Sequence, residues 1–169
     1  AMTHNWAALA DGTLAVYESS AATFDADRNK SLFERAWLDR FCALLPQNAH
    51  ILDAGCGTGD PIARYLMFCG HRVTGIDAAS AMIAQAQRKF PNGDWRAMDL
   101  RALAFDAPFD GVLGWNRFFH LTQDDQRAVL PRLADLTRPG GPFMVTIGEG
   151  DGTATGTVAG SFTSSQSAR

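Results

Sequence analysis

Five short apolar runs between residues 49 and 148 alternate with segments of helical spacing, and this alternation constrains the fold more than any other feature. The runs are AHILDAG, HRVTGID (71–77), DWRAMD (94–99), FDGVLGWN (109–116) and PFMVTIG (142–148). Between them, Asp60-Pro61 opens a helix whose Ile62, Ala63, Leu66 and Met67 share a face and which stops at Gly70. A second helix is expected over 80–90 with Ser80 as its cap, and Thr122 with Asp125 forms a capping box for a third, to about 136. Strands separated by helices are joined by crossovers, so they run parallel and need cover on both faces. The expected class is α/β, a doubly wound parallel sheet of five strands with helices on both faces.

Upstream, Leu32, Phe33, Ala36, Trp37, Phe41, Leu44 and Leu45 recur at separations of three and four. Helices are expected over about 6–20 and 31–45, the second capped by Ser31 or Asn29 and ended by Pro46. Downstream, residues 148–169 are dominated by Gly, Ser and Thr, with Phe162 as the one aromatic, and read as a flexible tail. The 169 residues suit one domain over 1–147, with N-terminal helices over 1–47 and a ligand-binding core over 48–147.

Charge narrows the partners. Fifteen Lys and Arg against 18 Asp and Glu give a net charge of −3, with no basic face for a phosphate backbone, so nucleic acid is not an expected partner. No apolar run reaches the ~20 residues of a membrane span, and the N-terminus has no signal-peptide pattern. Cys42, Cys56 and Cys69 have no metal-ligand spacing and read as reduced thiols of a cytoplasmic protein; no metal site is expected.

The chemistry concentrates in Asp53-Ala54-Gly55-Cys56-Gly57-Thr58-Gly59, between the first strand and its helix. Small residues there let a ligand approach the backbone, beside the unpaired N–H groups of a helix start. The dinucleotide fingerprint would need glycine where Asp60 stands, and no Gly-Lys-Ser/Thr follows, so neither a dinucleotide site nor a P-loop fits. Asp77 and Asp99 lie at the ends of the next two strands, and topology brings both to the crevice edge with Asp53. Either acid can equally cap a turn. Acids there suit a ligand with hydroxyls, an amino group and a positive centre.

ILDAGCGTGDPIARYL, HRVTGIDAASAMIAQAQ, MDLRAL, FDGVLGWNRFFHL and RPGG with FMVTIG resemble, in order and spacing, the class I S-adenosylmethionine-dependent methyltransferases, in particular the small-molecule branch. The resemblance implies a Rossmann-like fold and methyl transfer from S-adenosylmethionine to an O, N or C nucleophile of a small molecule, leaving S-adenosylhomocysteine. It implies that Gly55, Cys56, Gly57 and Gly59 line the methionine and ribose, with Asp53 near the amino group. It assigns the ribose hydroxyls to Asp77 beside Ala78, the adenine to Asp99 with Met98 and Leu100, and a backbone contact to Trp115. His120 is the candidate general base, needed only if the acceptor arrives protonated; packing histidine is the alternative. Tyr17, Asn116 and Phe119 are candidates for the acceptor pocket. A cofactor-binding domain without catalysis and a nucleotide-dependent oxidoreductase are the rival readings.

The family has seven strands where five are legible here. The expectation is therefore that the C-terminal strands are missing by truncation or frame change, impairing catalysis. That would leave the 142–148 strand as an open edge for pairing with a second copy.

Overall fold

The structure is a computed structural model and describes residues 14–17, 27–114, 122–147, 152–157 and 163–166. In chain order its elements are β1 (Leu14–Tyr17), α1 (Asp27–Ala43), β2 (His50–Ala54), α2 (Ile62–Phe68), β3 (Arg72–Asp77), α3 (Ser80–Lys89), β4 (Asp94–Ala97), a 3-10 turn (Leu100–Ala102), β5 (Gly111–Gly114), α4 (Gln123–Asp135), β6 (Pro142–Ile147), β7 (Gly152–Thr157) and β8 (Thr163–Gln166). The main sheet has the order β4-β3-β2-β5-β6-β7. Its first five strands are parallel, as the alternation predicts.

Side chains alternate across these strands and sort into two cores. Leu52, Ile76, Val112, Phe143 and Val145 pack with Val129, Leu130 and Leu133 of α4 on one face. Ile51, Val73, Leu113 and Met144 pack on the other with Leu38 and Phe41 of α1, Ala63 and Leu66 of α2, and Ile83 and Ala86 of α3. The period of two along each strand and the apolar stripe of each helix together produce this double cover. Gly111 lets α1 approach the sheet: a Cβ there would stand 2.8 Å from Phe41 and 2.9 Å from Leu45.

Local chemistry sets most element ends. Gly70 at φ +92° ends α2, and Thr122 Oγ1 accepts the Asp125 N–H, 3.1 Å, at the start of α4. Ser80 is not a cap: Ala79 holds the cap position of α3 without a side-chain bond. Asp77, two residues upstream of Ala79, supplies the local acceptor instead, taking the Ala79 N–H on Oδ1 at 2.9 Å.

Four expectations are corrected. Of the helix expected over about 6–20, residues 14–17 are a strand, and the rest lies outside the described residues. Leu14-Ala-Val-Tyr17 carries a β-branched and an aromatic residue, types that favour the pleated backbone, and pairs in parallel with β8 from Leu14↔Thr163 to Tyr17↔Gln166. Helix α1 begins at Asp27, ahead of the predicted Ser31 or Asn29 cap. Residues 148–169 are not wholly a tail, because they contain β7 and β8. Strand β7 runs antiparallel along β6 from Pro142↔Thr157 to Ile147↔Gly152, so the edge expected to be open for a second copy is already paired. The backbone N–H and C=O groups of an edge strand need partners, and the chain following β6 supplies them. None of the described helices is long and apolar enough to cross a membrane.

Candidate functional site

The strand order turns back between β2 and β5: the chain runs outward through β3 and β4, then returns to β5 on the other side of β2. Crevices beyond the carboxyl ends of strands open at such a reversal. The glycine loop leaves β2 at this point.

Backbone bonds pin the loop to β3. The Gly55 and Cys56 N–H groups both donate to the Ile76 carbonyl, at 2.7 and 2.9 Å, and Gly59 N–H donates to Cys56 O at 3.0 Å. Gly55, Gly57 and Gly59 have φ of +82°, +58° and +86°, the left-handed region where a side chain is strained. Asp77 closes the arrangement: it is buried, and its Oδ2 accepts the Gly57 N–H at 2.9 Å while Oδ1 takes Ala79. The Met98 N–H donates to Asp77 O at 3.0 Å, which brings the segment after β4 to the same edge.

Asp53 is buried in β2, in register with Gly75 of β3 and Leu113 of β5. Ala78 is exposed beside Asp77, and Met98 and Leu100 pack half-buried against the α4-side core. Asp99 acts as a cap here. Its Oδ1 accepts the Arg101 N–H at 2.8 Å, and the guanidinium of Arg101 reaches both oxygens at 3.0 and 2.7 Å. Those bonds hold its carboxyl at a pKa of about 2. Cys56 turns its thiol to Gly57 O, 3.4 Å away, in half-buried surroundings. Trp115, Asn116, Phe119 and His120 lie outside the described residues; they follow β5, whose end meets the same sheet edge as the loop. Tyr17 stands at the end of β1 and its side chain is likewise outside the description.

Two features were not visible in the sequence. Trp95 is buried under the loop, its Nε1 donating to Phe90 O at 2.7 Å, and a Cβ on Gly59, Gly75 or Gly93 would meet its ring at 3.1, 2.5 or 2.4 Å. Three separated glycines are signals of close approach, but nothing local says that they share one partner. The second is a cavity of about 650 Å³ lined by residues that include Arg35 of α1, Arg64 and Tyr65 of α2, and Phe90 after α3; among the described residues, none of the predicted site residues lines it.

Residues 51–141 match a family described as "Methyltransferase domain". The chain is similar to O-methyltransferase cnsE of Penicillium expansum, 34% identical over 106 residues, covering 59% of this chain and 38% of that one. It is also similar to the malonyl-[acyl-carrier protein] O-methyltransferase of Pseudescherichia vulneris, 36% identical over 99 residues, covering 58% and 38%. The chain thus spans about two fifths of the length of these curated relatives. Among solved structures, a TehB-like SAM-dependent methyltransferase from Corynebacterium glutamicum superposes with a TM-score of 0.60 at 26% identity, covering 74% of this chain and 76% of that one.

Proposed function

Because this chain belongs to the methyltransferase domain family, matched over residues 51–141, we propose that it binds S-adenosylmethionine at the β2–β5 crevice and directs its methyl group to a small-molecule acceptor. The observation that carries the reading is the Asp77 carboxylate, buried at the end of β3 and held by the N–H groups of Gly57 and Ala79. A carboxylate oriented in this way accepts hydroxyl donors from a ribose diol without losing its orientation. The glycine loop fits the same ligand, because Gly55, Gly57 and Gly59 leave its surface without side chains where the backbone turns. Asp53 would set the negative potential toward the ligand's amino group, and Cys56 would line the loop.

When bound, the sulfonium supplies an electrophilic methyl group that is displaced in line. Alignment and exclusion of water are what the chain has to add. Met98, Asp99 and Leu100 would flank the adenine, with Asp99 reaching it once Arg101 is displaced. In the segment after β5, Trp115 would offer a backbone contact and Asn116 and Phe119 would wall the acceptor pocket with Tyr17. His120 would take the proton of an acceptor that arrives protonated. A cytoplasmic, reducing setting belongs to the same proposal, supported by three cysteines not joined in disulfides.

Calorimetry with S-adenosylmethionine and S-adenosylhomocysteine tests it. The wild type should bind both, and Asp77→Ala should bind about 10- to 100-fold more weakly, the worth of hydrogen bonds to a charged group. Gly57→Val should lose binding through loop strain. Absence of binding by the wild type would overturn the function; equal binding by wild type and variants would overturn the site.

A further inference from the structure

The cavity of about 650 Å³ lies among the three helices that cover one face of the sheet. Arg64, Tyr65 and Phe68 recur at separations of one, three and four, so they share one side of α2, and all three line it. Arg35 and Leu38 face it from α1, and Lys89 and Phe90 close it at the end of α3. Its floor is apolar: Leu38 is buried, and Tyr65 and Phe90 are half-buried against the core beneath. Phe68 is 84% exposed and carries that apolar surface outward.

The charge around this floor is unbalanced. Arg35, Arg64 and Lys89 bring three cations against the single carboxylate of Asp60, in a chain whose net charge is −3. Arg64 meets Asp60 only at 3.8 Å, between side chains 67% and 37% exposed, a contact too loose and too hydrated to neutralise the guanidinium. Lys89 has no ion-pair partner among the described residues. Arg35 is held in place: its guanidinium stacks 4.5 Å from the centre of the Tyr65 ring, and its Nε donates to the Tyr65 hydroxyl at 2.9 Å, while that hydroxyl donates to Asp39. The wall between α1 and α2 is therefore built before any ligand arrives.

We propose that this cavity is a second ligand site, taking an amphipathic organic anion, with an aromatic body against Leu38, Tyr65 and Phe90 and a carboxylate or phosphate head held by Arg64 and Lys89. The volume lies in the range of small-molecule sites, roughly 300–1,000 Å³. Apolar burial supplies affinity and the cations select the sign of the head. An inorganic anion lacks the first interaction and a neutral aromatic lacks the second. The site does not rest on the cofactor reading, because among the described residues it shares none with the crevice at β2 and β5.

Titration calorimetry with naphthylacetate, naphthyl phosphate and the neutral naphthylethanol tests it. Both anions should bind one site per chain, at least about 10-fold more tightly than the alcohol, and their affinity should fall as salt is raised. The tighter of the two identifies the head group. Lys89→Gln and Arg64→Gln, at exposed positions that leave the fold intact by circular dichroism, should each weaken both anions about 3- to 10-fold and leave the alcohol unchanged. Phe68→Ser should weaken all three. Asp77→Ala should change none of them, which separates this site from the crevice. Absence of anion binding, an alcohol that binds as tightly as the anions, affinities indifferent to both Lys89→Gln and Arg64→Gln, or anion binding lost in Asp77→Ala would overturn the proposal.

Discussion

A single indole organises the ground beneath the glycine loop. Trp95 lies against Gly59, Gly75 and Gly93, and its bond to Phe90 O prevents the ring from swinging aside. In Gly75→Ala the new methyl would sit 2.5 Å from two ring carbons and 2.9 Å from Cys56 Sγ. Overpacking of this kind costs about 1–3 kcal/mol, so the urea midpoint should fall by the corresponding amount. The affinity for S-adenosylmethionine should fall with it, since Cys56 belongs to the loop. Gly70→Ala is the control: nothing lies within 4 Å of its Cβ position, so only the φ of +92° resists the change. Its effect should be confined to stability. An unchanged urea midpoint in Gly75→Ala would mean that the indole does not support the loop. The glycines of the loop were legible in the sequence because their turn is local; Gly75 and Gly93 were not, because what they make room for lies elsewhere along the chain.

At the level of elements, β7 is the informative case. Gly152-Thr-Ala-Thr-Gly-Thr157 has no apolar alternation and carries two glycines, so its composition argues for a linker. It is a strand because β6 presents an unpaired edge beside it. Deleting residues 148–169 should therefore uncover β6 and give concentration-dependent association in sedimentation velocity, while the full chain sediments independently of concentration. Equal behaviour of the two would show that β7 does not protect the edge. The inner strands behave oppositely: apolar runs of four to six residues, buried on both sides, announce themselves without reference to neighbours. The same contrast explains β1, a four-residue strand in a stretch whose helical spacing was read over a longer window.

Across the whole molecule, the pH response follows from two histidines that help begin strands. His71 Nδ1 accepts the Ala49 N–H at 3.1 Å, a bond that needs the unprotonated nitrogen, and His50 Nε2 pairs with Thr74 Oγ1 at 2.7 Å. Burial lowers both pKa values below the ordinary 6.5. The unfolded chain therefore binds more protons than the folded one just below pH 6.5, and stability falls as pH drops through that window toward the folded values. Asp94 and Asp99, lowered by Arg96 and Arg101, contribute stability above about pH 4 that is lost on further acidification, by a small amount because both pairs are exposed. Urea midpoints should thus be flat above pH 7 and decline from about pH 6.5, and His71→Gln should shrink that decline; an unchanged slope in the variant would remove His71 as a cause. The sequence by itself determined the parallel α/β order, the glycine loop and the acids at its strand ends, because periodicity, turn chemistry and helix caps act between residues close along the chain. Only the tertiary structure decided that Trp95 underlies the loop, that β7 closes the β6 edge and that Asp99 is held by Arg101. Packing and edge pairing depend on which surfaces meet after the chain has folded back on itself, and no local pattern encodes that.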